Sequence, residues 1–305
     1  MHQGYAMKTL SIHRILVPSD LSEPAHHALG YAKLLAERFG AHVDVVYADP
    51  VLPPLTFFED GSAMLSGSSA DWERTDVAAR LRDEAATCLG AGISFNVHVV
   101  EGAALPMIVK TAETLDSDLI IIGTRGLRGW RRTALGSLTE EIVHATDRLV
   151  LTVKLADHTF GPGIAKVLCP VNMTEVARES LRVAATLASQ LGAELIIAHV
   201  VEDDREIAEA QPLLRRWLNE SGLGGVGWRD LVVRGGAAER VLDCAEDLDV
   251  DLLVIGAQHQ FFSDETVIGT TTERLLRFAL CPVLTVTRSA VSKEKETAPE
   301  TVAAS

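Results

Sequence analysis

Two stretches of the sequence hold residue types that could bind a negatively charged ligand. The first is a glycine-rich segment in which Gly123 and Gly126 are followed, after nine residues, by Gly136 and Ser137. Glycine lets the main chain approach a bulky group and adopt left-handed backbone angles. If a helix begins near Ser137, its N–H groups and the serine hydroxyl face outwards at the positive end of the helix dipole. This segment is therefore a candidate phosphate-binding loop.

The second stretch is Pro18-Ser19-Asp20, which follows a short apolar run. The glycine segment also follows an apolar run, residues 119–122. In an open parallel α/β sheet, ligands bind beyond the carboxyl ends of the strands, where the strand order reverses. The two stretches could therefore meet at one edge of such a sheet. The sequence leaves open an alternative, in which the glycines only form a turn and Asp20 only caps the first helix.

The chain is internally duplicated. Residues 14–41 match residues 166–193 at an offset of 152, and residues 99–153 match residues 232–286 at an offset of 133. The difference of 19 residues is sequence that the first half carries between residues 49 and 70 and the second half lacks. A repeat of this length indicates two copies of one structural unit. We name them repeat 1 and repeat 2.

Each repeat alternates short apolar runs with longer amphipathic segments. In repeat 1 the runs predict strands at residues 15–17, 43–48, 97–100, 119–122 and 150–153. The segments between them carry apolar residues at helical spacing. Strands that are apolar on both faces are typical of a parallel sheet covered by helices on both sides. The sequence thus predicts an α/β fold of two tandem Rossmann-like domains, each a five-stranded parallel sheet with helices on both faces.

The predicted domain bounds are residues 10–154 and 166–288. A linker at residues 155–165 contains Gly161-Pro162-Gly163, and residues 289–305 form a polar tail that we expect to be disordered. Two cysteines, Cys169 and Cys281, fall in predicted strands and are interpreted as small buried apolar residues.

Composition excludes several functional classes. The 305 residues are 47% hydrophobic, and 28 Lys and Arg stand against 42 Asp and Glu, for a formal net charge of −14. Such an acidic chain is repelled by nucleic acids and by anionic membranes. Its apolar runs are far shorter than the roughly 18 residues of a membrane span, and its N-terminus does not resemble a secretory signal. Four cysteines show no CxxC spacing. We therefore expect a cytoplasmic protein.

The motif Gly-x2-Gly-x9-Gly-Ser after the fourth strand, with Pro-x-Asp after the first, resembles the ATP-binding signature of the universal stress protein family. The resemblance covers both repeats and implies bound ATP, with Mg²⁺ on the phosphates. It implies that Asp20 binds the ribose hydroxyls, that main-chain atoms at Ala48 meet the adenine, and that the glycine segment encloses ribose and phosphates. The candidate nucleotide-binding residues are Pro18, Ser19, Asp20, Ala48, Gly123, Thr124, Arg125, Gly126, Gly136, Ser137 and Leu138.

Repeat 2 departs from this pattern. Asn172 stands at the position of Asp20, and His259 stands at the position of Gly126. One interpretation is a weak or vacant site; the other is an altered site in which His259, as an imidazolium, contacts an anion. The residues of this degenerate second site are Asn172, Gly256, His259, Gly269 and Thr270.

The resemblance implies a stress-response or regulatory protein whose nucleotide acts mainly as a switch for an unidentified protein partner. The alternatives are a slow ATPase or other nucleotide-dependent enzyme, and a structural or chaperone-like dimerisation protein without nucleotide. No catalytic residue and no protein metal ligand is assigned, because residues 123–137 contain no Asp, Glu or His to serve as a base. Four arginines crowd this segment and either neutralise phosphates or form a solvated face: Arg125, Arg128, Arg131 and Arg132.

Assembly is also implied by the resemblance, since the last strand makes the subunit contact in that family. The last strands of the two repeats would otherwise be exposed sheet edges. We expect the repeats to pack around a pseudo-twofold axis through these strands, and whole chains to form a homodimer. The 19-residue excess, which carries Phe57, Phe58, Met64 and Leu65, is either a lid or partner patch, or a surface loop that packs its own side chains.

Overall fold

The computed structural model describes residues 10–50, 55–57, 63–65, 70–124, 137–154, 163–223, 225–257, 260–262, 265–267 and 270–287. Repeat 1 contributes β1 (Arg14–Pro18), α1 (Glu23–Phe39), β2 (His42–Asp49), β3 (Leu55–Phe57), β4 (Ala63–Leu65), α2 (Ala70–Leu89), β5 (Phe95–Glu101), α3 (Ala104–Thr114), β6 (Leu119–Thr124), α4 (Ser137–Ala145) and β7 (Leu149–Lys154). Repeat 2 contributes β8 (Lys166–Pro170), α5 (Glu175–Leu191), β9 (Glu194–Val201), α6 (Asp204–Glu220), β10 (Trp228–Arg234), α7 (Ala237–Asp247), β11 (Leu252–Ala257), β12 (Gln260–Phe262), β13 (Glu265–Val267), α8 (Thr270–Phe278) and β14 (Val283–Thr287).

A single ten-stranded sheet runs through both repeats, in the order β10-β9-β8-β11-β14-β7-β6-β1-β2-β5. Within repeat 1 the neighbouring strands β5, β2, β1, β6 and β7 are all parallel. Repeat 2 has the same order and direction. The predicted α/β class is confirmed, but the two units share one sheet instead of forming separate ones.

Helices cover both faces of the sheet. Successive residues of a strand point to opposite faces, and in these strands both sets of side chains are apolar. Val17 of β1 belongs to a core formed with α1, α2, α5 and α6. Its neighbour Leu16 belongs to a second core, formed with α3, α4, α7 and α8. Each core extends through both repeats, so burial of apolar surface stabilises the two halves together. Among the described helices, none combines the length and the apolarity needed to cross a lipid bilayer.

The repeats join through their last strands. β7 and β14 pair antiparallel, and Leu151 lies opposite Leu284, its own equivalent at the offset of 133. Pairing between equivalent residues puts a pseudo-twofold axis at this point, which confirms the predicted arrangement. Arg38 of α1 donates to the carbonyl oxygen of Gln190, its equivalent at the offset of 152. The edge strands β7 and β14 are therefore paired with each other within one chain.

Local elements differ from expectation in three places. Part of the 19-residue excess forms an antiparallel pair, β3 with β4, where a loop was expected. A second antiparallel pair, β12 with β13, stands where repeat 1 has its glycine segment. Cys281 lies just before β14 and not within it, although it is buried as predicted. Most of the predicted linker, the tail and Phe58 lie outside the described residues.

Candidate functional site

Strand order places the two sequence stretches on neighbouring strands. In repeat 1 the chain passes from β1 to β2, which is its neighbour on one side, whereas β6 is the neighbour of β1 on the other side. The order therefore reverses between β1 and β6, which is where ligands bind in open α/β sheets. Asp20 follows β1, and Thr124 is the last residue of β6. The structure thus brings Asp20 and the start of the glycine segment to one edge of the sheet.

The loop between β1 and α1 is held by its own polar atoms. The Ser19 N–H donates to the Val46 carbonyl oxygen at 2.9 Å, which extends the β1–β2 pairing by one residue. The Ser19 hydroxyl oxygen accepts from the Leu21 N–H at 3.1 Å. Leu21 has a φ of 61°, a left-handed conformation that is strained for a residue with a side chain. Backbone strain next to a candidate ligand site is typical of functional loops.

Asp20 does not cap α1. The N-cap residue is Ser22, and Asp20 Oδ1 accepts from the Ser22 N–H at 3.0 Å in a turn that precedes the helix. The alternative in which Asp20 serves as the helix cap is therefore wrong. Asp20 is exposed, and its second oxygen, Oδ2, has no hydrogen-bond partner among the described residues. A carboxylate held on one oxygen and open on the other can accept hydrogen bonds from a ligand.

Ala48 offers main-chain atoms on the same edge. β2 runs to Asp49, whereas β1 ends opposite Val46. The Val46 carbonyl faces β1, because it accepts from Ser19. Main-chain groups two residues apart on a strand face the same side, so the N–H and C=O of Ala48 face that side beyond the end of β1. A base edge with one donor and one acceptor could bind there.

Gly123 is required for packing of α1 on the sheet. A Cβ at this position would lie 1.9 Å from the Pro24 carbonyl oxygen and 2.3 Å from its carbonyl carbon. The main chain of the first turn of α1 therefore rests directly on β6, as the helix–strand glycine does in dinucleotide-binding folds. Gly123 was predicted to make room for a ligand; among the described residues it makes room for the helix that follows the Asp20 loop.

The phosphate side of the site is described in part. α4 begins at Ser137, and Leu138 is half-buried in its first turn. Thr124 is buried and pairs with Lys154 of β7, and Pro18 is buried opposite Val46. Three of the candidate residues, Arg125, Gly126 and Gly136, lie outside the described residues, as do Arg128, Arg131 and Arg132.

The equivalent loop of repeat 2 keeps the backbone shape but uses its polar atoms differently. Met173, the equivalent of Leu21, also has a left-handed φ, of 58°. Asn172 Oδ1 accepts from the Thr174 hydroxyl at 2.7 Å and from the Thr174 N–H at 3.4 Å. The same hydroxyl accepts from the Ala177 N–H and caps α5. The side-chain oxygen at the Asp20 position is therefore neutral and already engaged within the loop.

Other features of repeat 2 also differ from repeat 1. A Cβ at Gly256 would meet Val176 Cγ1 at 3.1 Å, a contact far looser than at Gly123. Thr270 is exposed at the start of α8, and His259 and Gly269 lie outside the described residues. A polar residue that sequence reasoning missed, His199, makes a 2.8 Å hydrogen bond between its Nδ1 and the Val171 carbonyl oxygen. The duplication could have identified it, because His199 stands at the position of Tyr47.

These features define a class: a tandem, doubly wound α/β protein whose first unit keeps an open carboxylate at its topological switch point. Comparison with known proteins identifies the family. Residues 11–154 and 163–287 each match the profile of the universal stress protein family. The chain belongs to the universal stress protein family, with two copies of the family domain.

Relatives of both one-domain and two-domain length are similar to the chain. Universal stress protein Slr1230 of Synechocystis sp. is 27% identical over 295 residues, covering 89% of this chain and 98% of the relative. Universal stress protein MJ0531 of Methanocaldococcus jannaschii is 29% identical over 141 residues, 46% of this chain and 81% of the relative. A crystal structure of a universal stress protein from Archaeoglobus fulgidus matches the fold with a TM-score of 0.73, at 22% identity over 90% of this chain and 98% of that one.

Proposed function

We propose that this protein binds ATP in repeat 1 and uses the bound nucleotide as a switch for binding a protein partner in a stress response. The observation that carries the proposal is the Asp20 carboxylate, which among the described residues is bonded through one oxygen only, at the same edge of the sheet as the Ala48 main chain beyond the end of β1. Asp20 would accept hydrogen bonds from the ribose hydroxyls. Ala48 would pair through its N–H and C=O with the adenine edge.

The phosphates are assigned to the segment from Gly123 to the start of α4. Ser137 begins a helix of nine residues, whose first N–H groups have no partner within the helix and favour an anion. The glycines and Arg125 belong to this proposal through the motif spacing. Mg²⁺ would accompany the phosphates and neutralise part of their charge. These groups bind ground-state phosphate, so they favour retention of the nucleotide over its turnover.

Repeat 2 is proposed to bind nucleotide weakly or not at all. Asn172 carries no charge, and its side-chain oxygen is already bonded twice within its loop. A ribose hydroxyl would have to displace the Thr174 hydroxyl, which is also the N-cap of α5. That displacement would break the hydrogen bond from the Thr174 hydroxyl to Asn172 Oδ1, worth about 1 kcal/mol, so a ligand at this site competes with a hydrogen bond of the loop. The strong site is therefore single and lies in repeat 1.

One preparation tests the proposal directly. Protein purified without added nucleotide should release an adenine nucleotide on denaturation, at close to one per chain. Conversion of ATP to ADP should stay far below the median enzyme rate of about 10 per second. Recovery of no nucleotide, together with no ATP binding by calorimetry, would favour the structural or chaperone-like alternative. Rapid release of ADP would favour the enzyme.

The matched variants Asp20→Ala and Asn172→Ala test the residues. Loss of the Asp20 carboxylate should weaken ATP binding by roughly 1.5–3 kcal/mol, the range for hydrogen bonds to a charged group. Asn172→Ala should leave the ATP isotherm unchanged. Calorimetry compares the two variants with the wild type at one salt concentration. Unchanged affinity in Asp20→Ala would contradict the site.

A further inference from the structure

A cleft of about 450 Å³ opens between the repeats, away from the switch point of either. One wall is α1 of repeat 1, with His27 and Tyr31, and Lys154 stands at the end of β7. The other wall is the end of α7 and the loops around Asp249 and Cys281. A cavity of this volume lies at the lower end of the range for small-molecule sites, about 300–1,000 Å³.

The pseudo-twofold axis gives this cleft a counterpart in repeat 1, and the counterpart position is filled. Arg148 is the equivalent of Cys281 at the offset of 133. The Arg148 side chain is only 10% exposed. Its Nη1 donates to Asp116 Oδ1 and to the Ser117 carbonyl oxygen, each at 2.8 Å, and its Nε lies 3.2 Å from Asp147 Oδ1. A guanidinium group therefore occupies the counterpart position.

The acceptors for that guanidinium group recur in the cleft. Asp249 and Val250 are the equivalents of Asp116 and Ser117, and both line the cleft. The two aspartates share a left-handed backbone, with φ of 49° and 50°. The two loops are also fixed by the same three main-chain hydrogen bonds, at 2.9–3.1 Å. Repeat 2 thus keeps an aspartate and the following main-chain carbonyl on a loop of the same backbone shape, and the small Cys281 lines a cleft where repeat 1 has the Arg148 side chain.

We propose that the cleft between the repeats binds a small molecule that carries a guanidinium group. The guanidinium would bond the Asp249 carboxylate and the Val250 carbonyl oxygen, as Arg148 bonds their counterparts in repeat 1. A planar guanidinium also stacks on aromatic rings, and the rings of Tyr31 and Phe278 line the cleft. Glu246 and Asp251 add negative charge to the same walls.

Lys154 sets the pH dependence of this site. Its Nζ donates to the Ala279 carbonyl oxygen at 2.8 Å, and burial lowers the pKa of Lys154 to about 8. Burial raises the pKa of Cys281 to about 11 and that of Tyr31 to about 12, and burial lowers the pKa of His27. Lys154 therefore loses its positive charge between pH 7 and 9, in a cleft that is also lined by Glu246, Asp249 and Asp251. Repulsion of a bound cation therefore falls across this range.

Agmatine, which joins a guanidinium group to a short amine chain, is the probe. Titration of the full chain by calorimetry or NMR should show saturable binding at one site per chain, and binding should tighten from pH 7 to pH 9. 1,4-Diaminobutane, which carries ammonium charges but no guanidinium group, should bind at least tenfold more weakly, since it cannot form the paired bonds. Equal binding of the two ligands, or no saturation at millimolar agmatine, would overturn the proposal.

Three variants locate the site. Cys281→Arg places in the cleft the residue that fills its counterpart, and it should abolish agmatine binding. Cys281→Ser keeps the space open and should leave the affinity unchanged. Asp249→Asn keeps the backbone, because Asn tolerates a left-handed φ, and should weaken binding by about tenfold or more. Thermal unfolding of each variant checks the fold. Wild-type affinity in both Cys281→Arg and Asp249→Asn would place the ligand elsewhere and refute the proposal.

Discussion

Replacement of Gly123 by alanine tests the packing that positions the candidate nucleotide site. The added Cβ would lie 1.9 Å from the Pro24 carbonyl oxygen and 2.3 Å from its carbonyl carbon. Both are main-chain atoms in the first turn of α1, so no side-chain rotation relieves the overlap. Real Cβ atoms essentially never approach within 3.0 Å, so α1 and β6 must separate by about 1 Å.

Gly256 is the matched control, because it occupies the same position in repeat 2. There an added Cβ would meet Val176 Cγ1 at 3.1 Å and the Val176 carbonyl oxygen at 3.3 Å. A displacement of a few tenths of an ångström accommodates it. Overpacking of a core costs typically about 1–3 kcal/mol. We expect Gly123→Ala to lose about 3 kcal/mol of unfolding free energy and Gly256→Ala to lose less than about 1 kcal/mol.

Urea unfolding of the two variants and the wild type, followed by circular dichroism, measures this difference. Similar m-values would allow the midpoints to be compared as stabilities. The reasoning is refuted if Gly123→Ala is as stable as the wild type, or if Gly256→Ala loses as much. Gly123→Ala should also weaken ATP binding, because α1 follows directly on the Asp20 loop. Asp20→Ala differs from it in weakening binding without a comparable loss of stability.

Two further predictions concern stability. Asp118 Oδ2 accepts from the N–H groups of His13 and Arg14 at 2.7 and 2.9 Å, and its equivalent Asp251 accepts from two N–H groups at 2.8 Å. Denaturant titration should show that Asp118→Ala and Asp251→Ala each lower the unfolding free energy by about 2 kcal/mol. A loss in only one variant would contradict an equivalent role of the two aspartates. Burial lowers the pKa of Lys154 to about 8, whereas an unfolded lysine titrates near 10.4. Between these pH values the unfolded chain binds more protons than the folded one. The unfolding free energy of the wild type relative to that of Lys154→Met should therefore rise with pH by roughly 2–3 kcal/mol. A constant difference in unfolding free energy from pH 8 to 10 would contradict this prediction.

The fold was largely predictable because the sequence repeats internally and its apolar residues follow the spacing of strands and helices. The duplication gave equivalent residues across the chain, and apolar runs such as residues 119–122 indicated strands buried on both faces. Pairing of the last strands was implied by the family resemblance and agreed with the cost of exposed sheet edges. The β3–β4 and β12–β13 pairs were not predicted, since strands of three residues are too short for their pattern to be recognised.

The sequence predicted where Asp20 and Gly123 lie relative to the strands, but not which atoms they contact. Asp20 was assigned correctly to the end of β1, but only the structure separates it from the N-cap at Ser22. Gly123 was interpreted as a ligand contact, because sequence alone does not reveal that Pro24 packs against it. The aligned repeats show that Cys281 stands at the position of Arg148. Only the structure shows which carboxylate and carbonyl oxygen bind the Arg148 side chain.

Pairing of β7 with β14 inside one chain also determines how the assembly responds to dilution. Two separate subunits joined along such strands dissociate once their concentration falls below the dissociation constant. Here 11 residues, 155–165, tether one half to the other, and a short tether holds its ends at an effective concentration in the millimolar range. The contact between Leu151 and Leu284 is therefore independent of how many copies of the protein a cell contains.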